Sequence, residues 1–163
     1  RLFFPITAAA VASGVERPAQ TRPVSGLRIL LVDDDPLILN SLRDVLEADG
    51  QRVTIANGGR EGIDVFVAAE KRGEPFAVVI TDLGMPHIDG RAVAAAVHRA
   101  SPATPIILLT GWGQRLIDAD EIPSHVSRVL TKPPKLDTLR AALAQVTHSP
   151  RPDGADAVAP KNQ

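Results

Sequence analysis

Ile29-Leu30-Leu31-Val32 is an unbroken apolar run that ends on three carboxylates, Asp33, Asp34 and Asp35, and then on Pro36. A parallel strand covered by helices on both faces reads as such a run, whereas a strand with one wet face alternates. Open α/β sheets place their ligands at the carboxyl ends of the strands. Three adjacent acids at such an end repel one another, and a bound cation relieves the repulsion. Hard divalent ions take oxygen ligands, and Mg²⁺ needs only one or two carboxylates besides waters and phosphate oxygens. Read blandly, the same acids cap a helix and complement its dipole.

Three more apolar runs end on polar residues. Ala77 to Thr81 leads to Asp82, Pro105 to Leu109 leads to Thr110, and Val126 to Thr131 leads to Lys132 and Pro133. Between the runs lie helical patterns. The first helix starts at Pro36 with Asp35 as its cap, carries Ile38, Leu42, Val45 and Leu46, and ends at Gly50. A second strand spans about 52–56. A second helix follows Asn57-Gly58-Gly59 with Ile63, Phe66 and Val67. A third, about 90–100, carries Val93, Ala96, Val97 and Ala100. A fourth, at 113–122, has only Leu116 and Ile117 as a stripe and is expected to be short or mobile. The last carries Leu136, Leu139, Leu143 and Val146. Strands alternating with helices imply right-handed crossovers and a parallel sheet covered on both faces. The three acids, one more acid, a hydroxyl and an amine then lie along one edge of that sheet.

The bulk composition narrows the class. With 163 residues, 44% hydrophobic and 23% charged, the chain suits one folded domain with short extensions. A net charge of −1 argues against a strongly basic nucleic-acid surface, and no nucleic-acid partner is expected. There is no cysteine, which excludes disulfides and thiolate metal sites. No apolar stretch reaches the roughly 18 residues of a membrane span, so no membrane contact is expected and a cytoplasmic location fits. Residues 1–26 read as an upstream remnant and a proline- and alanine-rich linker, 27–148 as the folded domain, and 149–163 as a disordered tail. The chain begins at Arg1 rather than Met and is expected to be a piece of something longer.

Over residues 27–148 the chain resembles a response-regulator receiver domain of two-component signalling. The motifs are Val32-Asp33-Asp34, Asp82 followed by Met85-Pro86 and Asp89-Gly90, Thr110-Gly111, and Lys132-Pro133. The resemblance implies a flavodoxin-like, doubly wound five-stranded sheet of order 2-1-3-4-5. It implies Asp82 as the phosphoacceptor, taking a phosphoryl group from a phosphohistidine of a histidine kinase. It implies that Asp34, Asp82 and the Gly84 carbonyl hold Mg²⁺, with Asp33 acting through water. Lys132 would then pair with the phosphoryl oxygens, and Thr110 would hydrogen-bond one of them. It also implies a cis Lys132–Pro133 bond, and Gly111 leaves the phosphoryl path open. Asp89-Gly90 reads as a turn and helix start without chemistry. Arg1-Leu2-Phe3-Phe4-Pro5 resembles the last strand of a histidine-kinase ATP-binding domain, which points to a hybrid histidine kinase and to a histidine phosphotransfer protein as a further partner.

Some positions depart from the family pattern. Val129 stands where many receivers carry a switching aromatic, and Pro134 where Phe is common. Trp112 is expected to cover the site in part. His87, His98, His125 and His148 lack the acidic neighbour of a phosphodonor helix. The competing reading is an enzyme, an Mg²⁺-dependent aspartyl-phosphate phosphatase of the haloacid dehalogenase type using Asp33 and Asp35. The usual cap insertion and late acidic pair are missing from it. A pseudo-receiver serving only as a scaffold is the third reading, and the complete set of acids with Lys132 weighs against it.

Overall fold

The computed structural model describes residues 25–111 and 124–148. The expectations for Trp112, for a helix at 113–122 and for the tail after 148 lie outside the described residues, as does nearly all of the 1–26 segment. The elements in chain order are β1 (Arg28–Asp33), α1 (Pro36–Ala48), β2 (Arg52–Asn57), α2 (Gly59–Lys71), β3 (Val78–Asp82), α3 (Gly90–Ala100), β4 (Ile106–Thr110), β5 (Arg128–Thr131) and α4 (Leu136–His148). The strands form one parallel sheet in the order β2-β1-β3-β4-β5. This is the flavodoxin-like, doubly wound arrangement the sequence implied.

The apolar runs are continuous because both faces of the sheet are dry. Ile29 and Leu31 of β1 face one helical layer and pack with Leu39, Leu42 and Leu46 of α1 and Leu139 and Leu143 of α4. Leu30 and Val32 face the other layer and pack with Phe66 of α2 and Val93 and Val97 of α3. Successive side chains of a strand point to opposite faces, so one run fills two cores. Burying each such leucine or isoleucine contributes about 2–3 kcal/mol relative to exposure.

Helix α1 starts as expected. Asp35 is its N-cap, with Oδ1 accepting from the Leu37 N–H at 2.9 Å, and Pro36 occupies the first turn. Leu42 and Leu46 are buried as expected, but Leu39 joins them while Ile38 and Val45 are only half-buried. The stretch Leu37-Ile38-Leu39 hides the phase of the helix, since three adjacent apolar residues fit any face. Leu39 enters the core and Leu37 is left 76% exposed. In α4 the buried residues are Leu139, Ala142 and Leu143, while Leu136 is left in solvent at the helix start. In α3 the expected Ala100 is exposed, and Ala94 is buried in its stead.

Register brings the polar strand ends together. Asp33 is the last residue of β1, Asp82 of β3 and Thr110 of β4. Asp82 pairs with Leu109, and Thr110 with Thr131. Lys132 follows directly, its N–H donating to the Thr110 carbonyl at 2.9 Å. All these residues therefore crowd one edge of the sheet.

Candidate phosphorylation and metal site

At that edge the Lys132 ammonium holds two carboxylates. Its Nζ lies 2.6 Å from Asp33 Oδ2 and 2.9 Å from Asp82 Oδ1. Asp33 and Asp82 are only 1% and 6% exposed. The other oxygen of Asp33 accepts the Asp35 N–H at 2.9 Å, which fixes the rotamer and closes the turn into α1. Burial pulls the Lys132 amine toward its neutral form. Hydrogen bonds and charge from Asp33 and Asp82 outweigh that and leave its pKa above the ordinary lysine value.

Asp34 is exposed at the mouth of the pocket. One carboxylate oxygen from each of Asp33, Asp34 and Asp82 lies within 4.8 Å of the others. Three carboxylates against one ammonium leave a formal excess of two negative charges. A small divalent cation with oxygen ligands matches both that charge and the donor set. Gly84 stands beside Asp82, where a Cβ would come 3.8 Å from Asp82 Oδ2. Thr110 is buried at the end of β4. A Cβ on Gly111 would meet nothing within 4 Å among the described residues. Every site residue expected from the sequence thus lies on one edge, and the charged ones are in contact or within reach of one another. The Lys132–Pro133 peptide bond is cis.

The phosphatase reading fails on geometry. It needs Asp35 as a second acid beside Asp33, yet the Asp35 side chain is spent capping α1. Among the described residues the acidic cluster contains Asp34 and Asp82, not Asp35.

Asp89-Gly90, read from the sequence as a turn and helix start without chemistry, does start a helix and also frames the site. Asp89 caps α3, its Oδ1 accepting the Ala92 N–H at 2.9 Å. Gly90, the first residue of α3, sits directly on the end of β3. A Cβ there would overlap the Asp82 carbonyl oxygen and lie 2.9 Å from Leu108 Cδ1. The Asp-Gly pair was the available signal, but it marks a turn equally well.

Comparison with known proteins agrees with this geometry. The family model described as "Response regulator receiver domain" matches residues 29–144. The transcriptional regulatory protein GlrR of Escherichia coli is 35% identical over 115 residues, covering 71% of this chain and 25% of GlrR. Among solved structures, the response regulator TrrA of Thermotoga maritima, in complex with Mg²⁺–BeF, superposes with a TM-score of 0.62 at 27% identity, covering 74% of this chain and 98% of that one. The receiver domain of the hybrid histidine kinase CckA gives a TM-score of 0.59 at 25% identity, covering 74% and 98%. The chain spans about a quarter to a half of the curated relatives it matches.

Proposed function

This chain belongs to the response regulator receiver domain family, and from that premise we propose that Asp82 is its phosphoacceptor and that Asp33, Asp34, Thr110, Lys132 and the Gly84 carbonyl serve the transfer. Receiver domains take phosphoryl groups from histidine kinases and bind Mg²⁺ at their acidic pocket. The observation that carries the residue assignment is the ion pair of Lys132 with both Asp33 and Asp82.

In this reading an Asp82 carboxylate oxygen attacks phosphorus. The O–P bond forms as the P–N bond of the donor phosphohistidine breaks, and the imidazole departs with the bonding pair and takes up a proton. Phosphoryl transfer leaves the protein little covalent work, so positioning and charge dominate. Asp34, Asp82 and the Gly84 carbonyl would hold Mg²⁺ directly, and Asp33 would hold it through water. When bound, the ion supplies the positive charge that the carboxylates and the transferring oxygens share. Lys132, kept protonated by its two partners, turns its ammonium from Asp82 to the new phosphoryl oxygens. The Thr110 hydroxyl, at the neighbouring strand end, donates to one of them.

Residues 27–148 form the receiver unit in this reading, and its place is the cytoplasm. The parent protein is a hybrid histidine kinase, in keeping with the likeness to the CckA receiver, with phosphate passed on to a histidine phosphotransfer protein. No helix among the described residues is long and apolar enough to cross a membrane. The test is intact mass after incubation with acetyl phosphate or phosphoramidate and Mg²⁺. The chain gains one phosphoryl mass and Asp82→Ala does not; equal labelling of both would overturn the assignment.

A further inference from the structure

The start of α2 touches both sides of the acidic pocket. On the β1 side, the Gly58 N–H donates to the Asp33 carbonyl at 2.9 Å. The Asn57 N–H donates to Glu61 Oε2 at 2.8 Å, which fixes the turn into the helix. On the other side, Gly59 lies against Ile88. A Cβ on Gly59 would overlap the Ile88 carbonyl oxygen and stand 2.7 Å from Ile88 Cγ2 and 2.9 Å from its Cβ. The first obstacle is backbone, which cannot swing aside like the end of a flexible side chain.

Ile88 belongs to the loop between β3 and α3, and that loop is closed on itself. The Ile88 N–H donates to Pro86 at 2.8 Å, and the Gly90 N–H donates to Leu83 at 3.1 Å. Gly84 sits inside this closed segment. A cleft of about 360 Å³ separates the two sides, lined by Asp34 and Gly59 together with Pro86 and Ile88.

We propose that Gly59 is a positioning residue for the acidic pocket: by lacking a side chain it lets α2 brace the Asp33 backbone against the β3–α3 loop, and so sets where the Gly84 carbonyl stands relative to Asp34 and Asp82. This rests on the reading that Asp34, Asp82 and the Gly84 carbonyl hold Mg²⁺. Gly59 belongs to none of those groups. A methyl group at 59 wedges α2 from the loop. Because α2 stays tied to Asp33, the loop is what moves, and Gly84 moves with it. A glycine needed only for packing would lower stability on substitution and leave ion affinity alone.

The experiment measures Mg²⁺ affinity by calorimetry, phosphorylation rate against Mg²⁺ concentration, and amide exchange of the metal-free chain, for the parent, Gly59→Ala, Ile88→Ala and Lys71→Ala. Gly59→Ala is expected to weaken Mg²⁺ binding about tenfold, in the range seen when groups that orient metal ligands are lost. The phosphorylation rate at saturating Mg²⁺ is expected to stay within about twofold of the parent, since the groups that act on phosphorus are unchanged. Exchange is expected to rise over residues 84–89 and not over β1. Lys71→Ala, exposed at the far end of the same helix, leaves all three unchanged. If Gly59→Ala folds and binds Mg²⁺ like the parent, the proposal is overturned. If it does not fold, Ile88→Ala decides: it removes part of the same contact without a clash, and an unchanged Mg²⁺ affinity there also overturns it. A parent that takes up neither Mg²⁺ nor phosphoryl groups defeats the underlying reading itself, an outcome distinct from an affinity insensitive to residue 59.

Discussion

The Lys132 ammonium nitrogen stands 2.6 Å from Asp33 Oδ2, across 99 residues of sequence. The same nitrogen reaches Asp82 at 2.9 Å, so one cation pairs with buried carboxylates from two strands. Removing it leaves two buried acids without their shared counter-charge. Lys132→Met is therefore expected to destabilise the metal-free chain by about 3 kcal/mol, the cost of breaking a buried pair by deleting one partner. It is also expected to slow phosphoryl uptake about 10²-fold, as loss of one preorganised charge does in other transfer sites. Urea unfolding and a mass time course with acetyl phosphate read the two effects. An unchanged unfolding midpoint would show that the pair contributes nothing to the fold.

The same ion pair sets an alkaline limit. The Lys132 pKa is raised in the folded chain above its ordinary value of 10.5. A raised pKa means the folded state holds its proton more tightly, so the contribution is complete below the unfolded value. It is lost as pH climbs from there through the folded value. Thermal unfolding of the metal-free chain is expected to lose midpoint above pH 10.5, and Lys132→Met to lose less over the same window. Parallel curves for the two proteins would contradict the linkage.

Mg²⁺ should stabilise the chain through the carboxylates that Lys132 neutralises only in part. Asp34 is the test residue because it is exposed, so its replacement leaves the core intact. At about 100 times its dissociation constant, an ion that binds only the folded state adds about 2.7 kcal/mol. The melting midpoint of the parent is expected to rise with Mg²⁺ to that extent, and that of Asp34→Asn to rise much less. An equal rise in both would place the ion elsewhere.

Some of this was legible in the sequence and some was not. Asp33, Asp82, Thr110 and Lys132 each end or follow an apolar run, and parallel strands bring such ends to one edge without knowledge of side-chain contacts. Asp35 before Pro36 announced a cap, and it is one. The phase of α1 was hidden because Leu37, Ile38 and Leu39 are all apolar, and only tertiary packing chose Leu39. That Lys132 would bind both Asp33 and Asp82 was also out of reach, because strand order does not state distances. Glycines hide most. At Gly59 and Gly90 the residue type says only that a side chain is missing, and the backbone that fills the space belongs to Ile88, in another loop, in one case and to Asp82, on the neighbouring strand, in the other.

Gly90 yields a prediction opposite in sign to helix propensity. Alanine in a helix is favoured over glycine by up to about 1 kcal/mol, so Gly90→Ala would ordinarily stabilise α3. Here the new methyl group meets the Asp82 carbonyl oxygen and Leu108 Cδ1. Either the helix start backs away from β3 or the strand end shifts, and overpacking of this kind costs about 1–3 kcal/mol. A net loss of stability is expected in urea unfolding. The Asp82 backbone is the atom group displaced, so phosphoryl uptake should fall as well, whereas Ala92→Gly, two residues further along the same helix and exposed, should lose stability without touching uptake. Stabilisation by Gly90→Ala would mean that α3 can slide along the sheet without moving the acceptor strand, and that the Asp89 cap alone fixes the helix start.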